Sequence, residues 1–139
     1  MASDETERLL AEIGQRLAED HEYPLDGTLL LAELDRNWVA PSIFKELGNQ
    51  ILFRWADHDR ICGPLLDLWE AQDTDDRWAE MAYVVRDGRF EVSYTYPDEI
   101  DPDQDPMDRR DRVVRRYFGE KPIVYPTGFP DDGLPTYDV

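Results

Sequence analysis

Polar and apolar positions change rhythm several times along this chain, and each rhythm predicts an element. Leu9, Leu10, Ile13 and Leu17 recur every three to four residues, which places them on one side of a helix running to about residue 20. Ser3 or Thr6 is its expected cap, with Asp4, Glu5 and Glu7 well placed at the positive end of the helix dipole. Pro24 and Asp26-Gly27 stop it. Three short β segments follow over 28–34, 38–47 and 50–55, broken by the turns Asp35-Arg36-Asn37 and Gly48-Asn49. Pro41 has no N–H to donate, so the second segment reads as an edge strand or a bulge. A second helix carries Ile61, Leu65, Leu66, Leu68 and Trp69, with Asp57 or Asp59 as its cap and Gly63-Pro64 fitting its first turn.

The plainest signal is a hairpin over 77–86 and 89–96, joined by the two-residue turn Asp87-Gly88. In its second strand Phe90, Val92, Tyr94 and Tyr96 share the face expected to be buried, and Arg89, Glu91, Ser93 and Thr95 share the other. A third helix from about Pro106 to Phe118 presents Met107, Val114, Tyr117 and Phe118, and Gly119 closes it. From Glu120 onward, Pro122, Pro126, Pro130 and Pro135 predict an extended tail over 120–139. The expected fold is one α+β domain over 1–119. It has an antiparallel sheet of about five strands and three helices in the order α-β-β-β-α-β-β-α.

Composition narrows the function. An apolar fraction of 41% with 12% aromatics supports a folded core, while the net charge is −17. Such a chain is repelled by nucleic acid and by anionic membranes, and it attracts basic proteins. Lysine is confined to Lys45 and Lys121. The single cysteine, Cys62, permits no internal disulfide, and no signal peptide or membrane-length apolar run is visible, so a cytoplasmic location is expected. Acidity peaks over 98–111, where seven of fourteen residues are carboxylates. A block of like charge stays solvated, and it either idles as a solubilising loop or receives a cationic partner.

Catalytic patterns are weak. His21 and His58 lack metal-ligand spacing, Cys62 has no C-x-x-C partner, and Ser3, Ser42 and Ser93 lie in no nucleophile elbow. Asp101-x-Asp103-x-Asp105 suggests a calcium loop, but the sixth and twelfth positions hold Pro106 and Arg112 where glycine and glutamate are needed. No catalytic residue, metal or cofactor is therefore expected. Trp38, Trp55, Trp69 and Trp78 fall in regular segments, where core packing is the default. Trp69 is the best candidate for an exposed interface anchor, because a second acidic cluster of Glu70, Asp73, Asp75 and Asp76 adjoins it.

Trp78 before an alternating strand, Asp87-Gly88-x-Phe90, Tyr94-x-Tyr96, the acidic Asp105-Pro106 loop, Arg109-Arg110 and Tyr117-Phe118-Gly119 together resemble the YezG-like immunity proteins. The resemblance spans roughly residues 7 to 119, and Pro41 and the proline-rich tail depart from it. It implies a small bacterial antitoxin that binds and neutralises a cognate toxin with a basic surface, often a nuclease, without catalysis. Asp98, Glu99, Asp101, Asp103 and Asp105 are the first expected contacts, with Glu70, Asp73, Asp75, Asp76 and Trp69 second. The rival readings are an interaction or adaptor domain with no toxin partner and, behind it, a carboxylate-based hydrolase.

Overall fold

A computed structural model of the chain describes residues 4–35, 38–56, 58–72 and 77–125, without the side chains of Asp35, Trp38 and His58. The elements are α1 (Asp4–Ala18), β1 (Thr28–Asp35), β2 (Trp38–Leu47), β3 (Gln50–Arg54), α2 (His58–Glu70), β4 (Glu80–Arg86), β5 (Arg89–Thr95), α3 (Pro106–Phe118) and β6 (Ile123–Val124). The expected α+β order holds, and β6 is added to it. That short strand comes from the opening of the expected tail, and it pairs parallel to β3. All other pairings are antiparallel, in the sheet order β5-β4-β1-β2-β3-β6. The tail beyond residue 125 lies outside the described residues, as do Ser3 and Asp57, two of the expected caps. Thr6 lies within α1 rather than before it.

Helices cover both faces of the sheet. Leu9, Ile13 and Leu17 of α1 pack with Ile61, Leu65, Leu68 and Trp69 of α2 over Leu30, Ala32, Met81 and Tyr83. On the other face Val113, Val114 and Phe118 of α3 meet Leu29, Leu31, Phe44, Phe53 and Val84. Central strands β1 and β4 are thus buried on both sides, which is why they read as unbroken apolar runs. β5 is the outer strand, and its expected buried face is only partly covered. Val92, Tyr94 and Tyr96 join the core, whereas Phe90 stacks on Tyr83 at 4.9 Å and stays 44% exposed. Charged Arg89 and Glu91 on the exposed edge discourage further strand pairing.

Two prolines needed the structure to place them. Pro41 lies in an interior strand, opposite Ala32. The Leu34 N–H bonds to Ala79 beside β4, so by alternation Ala32 faces β4 too, and the Pro41 nitrogen points away from β1. On that side β3 has already ended, since its pairing with β2 covers only Ile43 to Leu47. Locally, then, the proline sits on an edge without a bulge. Pro64 is in the body of α2 and not its first turn, because the helix begins at His58. Its ring removes the N–H that the Arg60 carbonyl would accept, a loss of about 3 kcal/mol. Burial of Ile61, Leu65, Leu68 and Trp69, at about 1.5–3 kcal/mol for each large side chain, outweighs it.

At the hairpin tip, Asp87 and Gly88 have φ of 54° and 74°, as a two-residue turn of this hand requires. Gly14 answers to a close approach. A Cβ there would lie 2.7 Å from Tyr83 Oη, and that hydroxyl donates to the Leu10 carbonyl at 2.9 Å. Burial pushes the phenol pKa up to about 12, consistent with an inward-facing hydroxyl. Gly14→Ala should therefore destabilise the protein, although alanine gains about 1 kcal/mol in helix propensity. In a Tyr83→Phe background the obstruction is gone, and the same change should stabilise. Urea unfolding of the four proteins decides it, and a gain in both backgrounds would disprove the contact.

Candidate functional site

The acidic loop leaves the end of β5 and runs to the start of α3, and its own carboxylates order it. Glu99 Oε1 accepts from the Tyr96 N–H at 2.9 Å, closing the single 3-10 turn Pro97–Glu99. Asp101 Oδ1 accepts from the Asp103 N–H at 2.9 Å. Asp105 caps α3, its Oδ1 accepting from Met107 and Asp108 at 2.8 and 3.3 Å. Three of the five predicted contact carboxylates thus serve the loop's backbone. The carboxylates of Asp98 and Asp103, both exposed, accept no hydrogen bond among the described residues. All five are exposed, and these two are the ones whose carboxylates are not engaged by the loop's own backbone.

Beneath the loop sits an ion triad. Glu33 of β1 and Glu80 of β4 are direct cross-strand partners. Arg109 of α3 joins them, with Nη2 donating to Glu33 at 2.7 Å and Nη1 donating to Glu80. Glu80 is 3% exposed, and burial raises its pKa more than Arg109 lowers it. At the other end of α3, Arg86 donates to the Tyr117 carbonyl and lies over the Phe118 ring at 5.2 Å. Arg110 spans the rings of Phe44 and Phe53 at 5.5 Å and donates to Tyr125 Oη at 3.1 Å. α3 is fixed along its length, and so is the loop capped onto it.

The second cluster is less completely seen. Glu70 is exposed on the last turn of α2, while Asp73, Asp75 and Asp76 lie outside the described residues. The ends of that segment are clamped: Gln72 Nε2 donates to the Trp69 carbonyl at 2.8 Å, and its Oε1 accepts from the Trp78 N–H at 3.3 Å. β4 begins where β5 ends, with Glu80 paired to Thr95, so the acidic loop leaves the hairpin at the end where β4 enters it. Trp69 is not an exposed anchor. It is 7% exposed, its indole N–H donates to the Trp78 carbonyl at 2.7 Å, and Arg77 covers its ring at 4.8 Å. The helical stripe that carries Leu65 and Leu68 carries Trp69 inward with them.

What the overall charge concealed is a basic helix. Five arginines occupy the thirteen residues of α3, with Arg112 and Arg116 turned outward beside the acidic loop. The signal was the run Asp108-Arg-Arg-Asp-Arg followed by Arg115-Arg116, masked by a net charge of −17. A notch of about 190 Å³ lies between loop, β5 and α3, with Thr95, Glu99, Gln104, Arg112 and Arg116 among its walls. The surface is therefore patterned in both signs, which favours register over simple attraction. Among the described residues no group of three or more His, Cys, Asp or Glu is arranged to hold a metal ion. Burial raises the pKa of Cys62, which keeps it a thiol. No helix among the described residues is long and apolar enough to cross a membrane.

No model of a known protein family matches the chain, and no curated protein matches it significantly.

Proposed function

We propose that the protein is a cytoplasmic immunity protein that binds and neutralises a cognate bacterial toxin with a basic surface, a nuclease being the expected kind. The observation that carries this reading is the self-ordered acidic loop, which holds Asp98 and Asp103 outward on a rigid mount. A pre-ordered loop loses little conformational entropy on binding, so its charges add to affinity as well as to steering. The resemblance of the hairpin, loop and helix motifs to YezG-like proteins points the same way.

Co-expression with the gene immediately upstream is the direct test. The neighbour alone should arrest growth and this chain should restore it; unrelieved arrest would sink the reading. Given a complex, Asp98→Asn with Asp103→Asn should slow association about tenfold and flatten its salt dependence, with stability unchanged. Asp105→Ala should instead cost about 1 kcal/mol of stability through the lost cap. Stopped-flow association and urea unfolding separate the two effects. Equal association rates for the double variant and the parent would refute the role of the loop.

A further inference from the structure

A cleft of about 260 Å³ opens between the end of α1, the start of α2 and the β2–β3 hairpin. Arg16, Lys45, Arg54 and Arg60 line it, with Glu19 and Asp20 between them. Four of the chain's 15 cations thus converge on one hollow of a protein with net charge −17. Their internal pairing leaves donors over. Arg54 gives Nε and Nη2 to Asp20 at 3.1 and 2.9 Å and pairs through Nη2 with Glu22 at 3.1 Å, which leaves Nη1. Arg60 gives the same two nitrogens to Glu19. Arg16 reaches Glu19 only at 3.5 Å, and its buried Nε has no hydrogen-bond partner.

Lys45 is the strongest sign. It is one of two lysines, is 1% exposed, and donates to two neutral oxygens, Thr28 Oγ1 at 2.7 Å and the Pro24 carbonyl at 3.0 Å. Among the described residues no carboxylate lies within ion-pair distance of it. Burial lowers its pKa, so an ammonium here works against the fold, and a third N–H remains after two bonds. Stability alone would favour an apolar side chain at this position. At the mouth stands Trp55, 48% exposed and held edge-on by Phe53 at 4.9 Å.

We propose that this cleft binds a small organic anion, an aromatic ring packed on Trp55 carrying a phosphate or carboxylate that the remaining Arg and Lys donors receive. Its volume falls below the usual range of roughly 300–1,000 Å³ for ligand sites, which limits the occupant to about a nucleoside monophosphate. The cleft is remote from the acidic loop. Lys45 pairs with Thr28 at the start of β1, whereas Glu33, above which the loop lies, is near its end.

Calorimetric titration of the full chain with adenosine monophosphate, indole-3-acetate, adenosine and inorganic phosphate tests the proposal. At least one aromatic anion should bind saturably. Adenosine and phosphate, each lacking half of the contacts, should bind at least about tenfold more weakly. Preference for the monophosphate assigns a phosphate ligand, and preference for indole-3-acetate assigns a carboxylate. Arg60→Gln removes only an exposed ion pair, so its melting temperature should stay close to that of the parent, and Trp55→Ala, which also loses the Phe53 ring contact, is titrated at a temperature where it is fully folded. Each should weaken binding about tenfold. No saturable heat from either aromatic anion, adenosine equal to its monophosphate, or variants that bind as the parent does would each overturn it.

Discussion

Arg109→Met is expected to destabilise the protein by about 3 kcal/mol at pH 7, because it leaves two carboxylates facing each other without a cation. Glu33 and Glu80 stand directly opposite on β1 and β4, the Glu80 side chain 4% exposed and the Glu33 side chain 30%. Methionine keeps most of the aliphatic packing of the arginine stem, so the loss reports charge more than volume. The expectation lies at the low end of the range for broken buried pairs because Glu33 retains solvent. The effect should also depend on pH. Glu80 already has a pKa above the ordinary 4.5, chiefly through burial, and removing Arg109 raises it further. A carboxyl raised in the folded state contributes stability that is complete below its unfolded value and is lost as pH rises through the folded value. The deficit of the variant should therefore be largest at neutral pH and shrink on acidification toward 4.5. Adding Glu80→Gln should recover part of it at pH 7. Urea unfolding across this pH range is the measurement, and a deficit under about 1 kcal/mol, or one indifferent to pH, would show that the triad is not holding α3 to the sheet.

The regular parts of this fold were legible because their signals are local. The Asp87-Gly88 turn, the capped span of α3 and the apolar stripe of α1 are each contiguous stretches of sequence, the longest running from Asp105 to Gly119, where periodicity and turn chemistry decide. Placement across elements was not legible. Whether Pro41 sits on an edge depends on β3 ending at Arg54, which is a fact about pairing length. β6 is two residues long, and it joins the sheet through the Ile51 N–H bonding to the Pro122 carbonyl at 2.9 Å, a contact with no periodic signature. The candidate site divides the same way. Its acidity was plain, yet only the structure shows that Glu99, Asp101 and Asp105 hold backbone while Asp98 and Asp103 hold none. The Arg-rich helix was visible as letters but was averaged away in the net charge. The cleft around Lys45 assembles residues from 16 to 61 and had no contiguous pattern to find.

Trp69→Ala should cost about 3–5 kcal/mol, a large share of the roughly 5–15 kcal/mol that stabilises a domain of this size. The indole does three jobs at once. It fills the core beside Leu65 and Leu68, its N–H satisfies the Trp78 carbonyl at 2.7 Å, and its ring lies under Arg77. Removing it opens a cavity and leaves a buried carbonyl unpaired, and the two penalties add. Trp69→Phe separates them. It restores most of the volume but not the donor, so it should cost about 1–3 kcal/mol. The alternative role as an interface anchor makes the opposite forecast, with stability unchanged and partner binding weakened. Urea unfolding of the three proteins distinguishes these outcomes before any partner is in hand. A Trp69→Ala protein as stable as the parent would return the residue to the surface, and with it the contact role first suggested by its acidic neighbours. A large loss, graded from alanine to phenylalanine, makes Trp69 a core residue that ties the end of α2 to the Trp78 carbonyl.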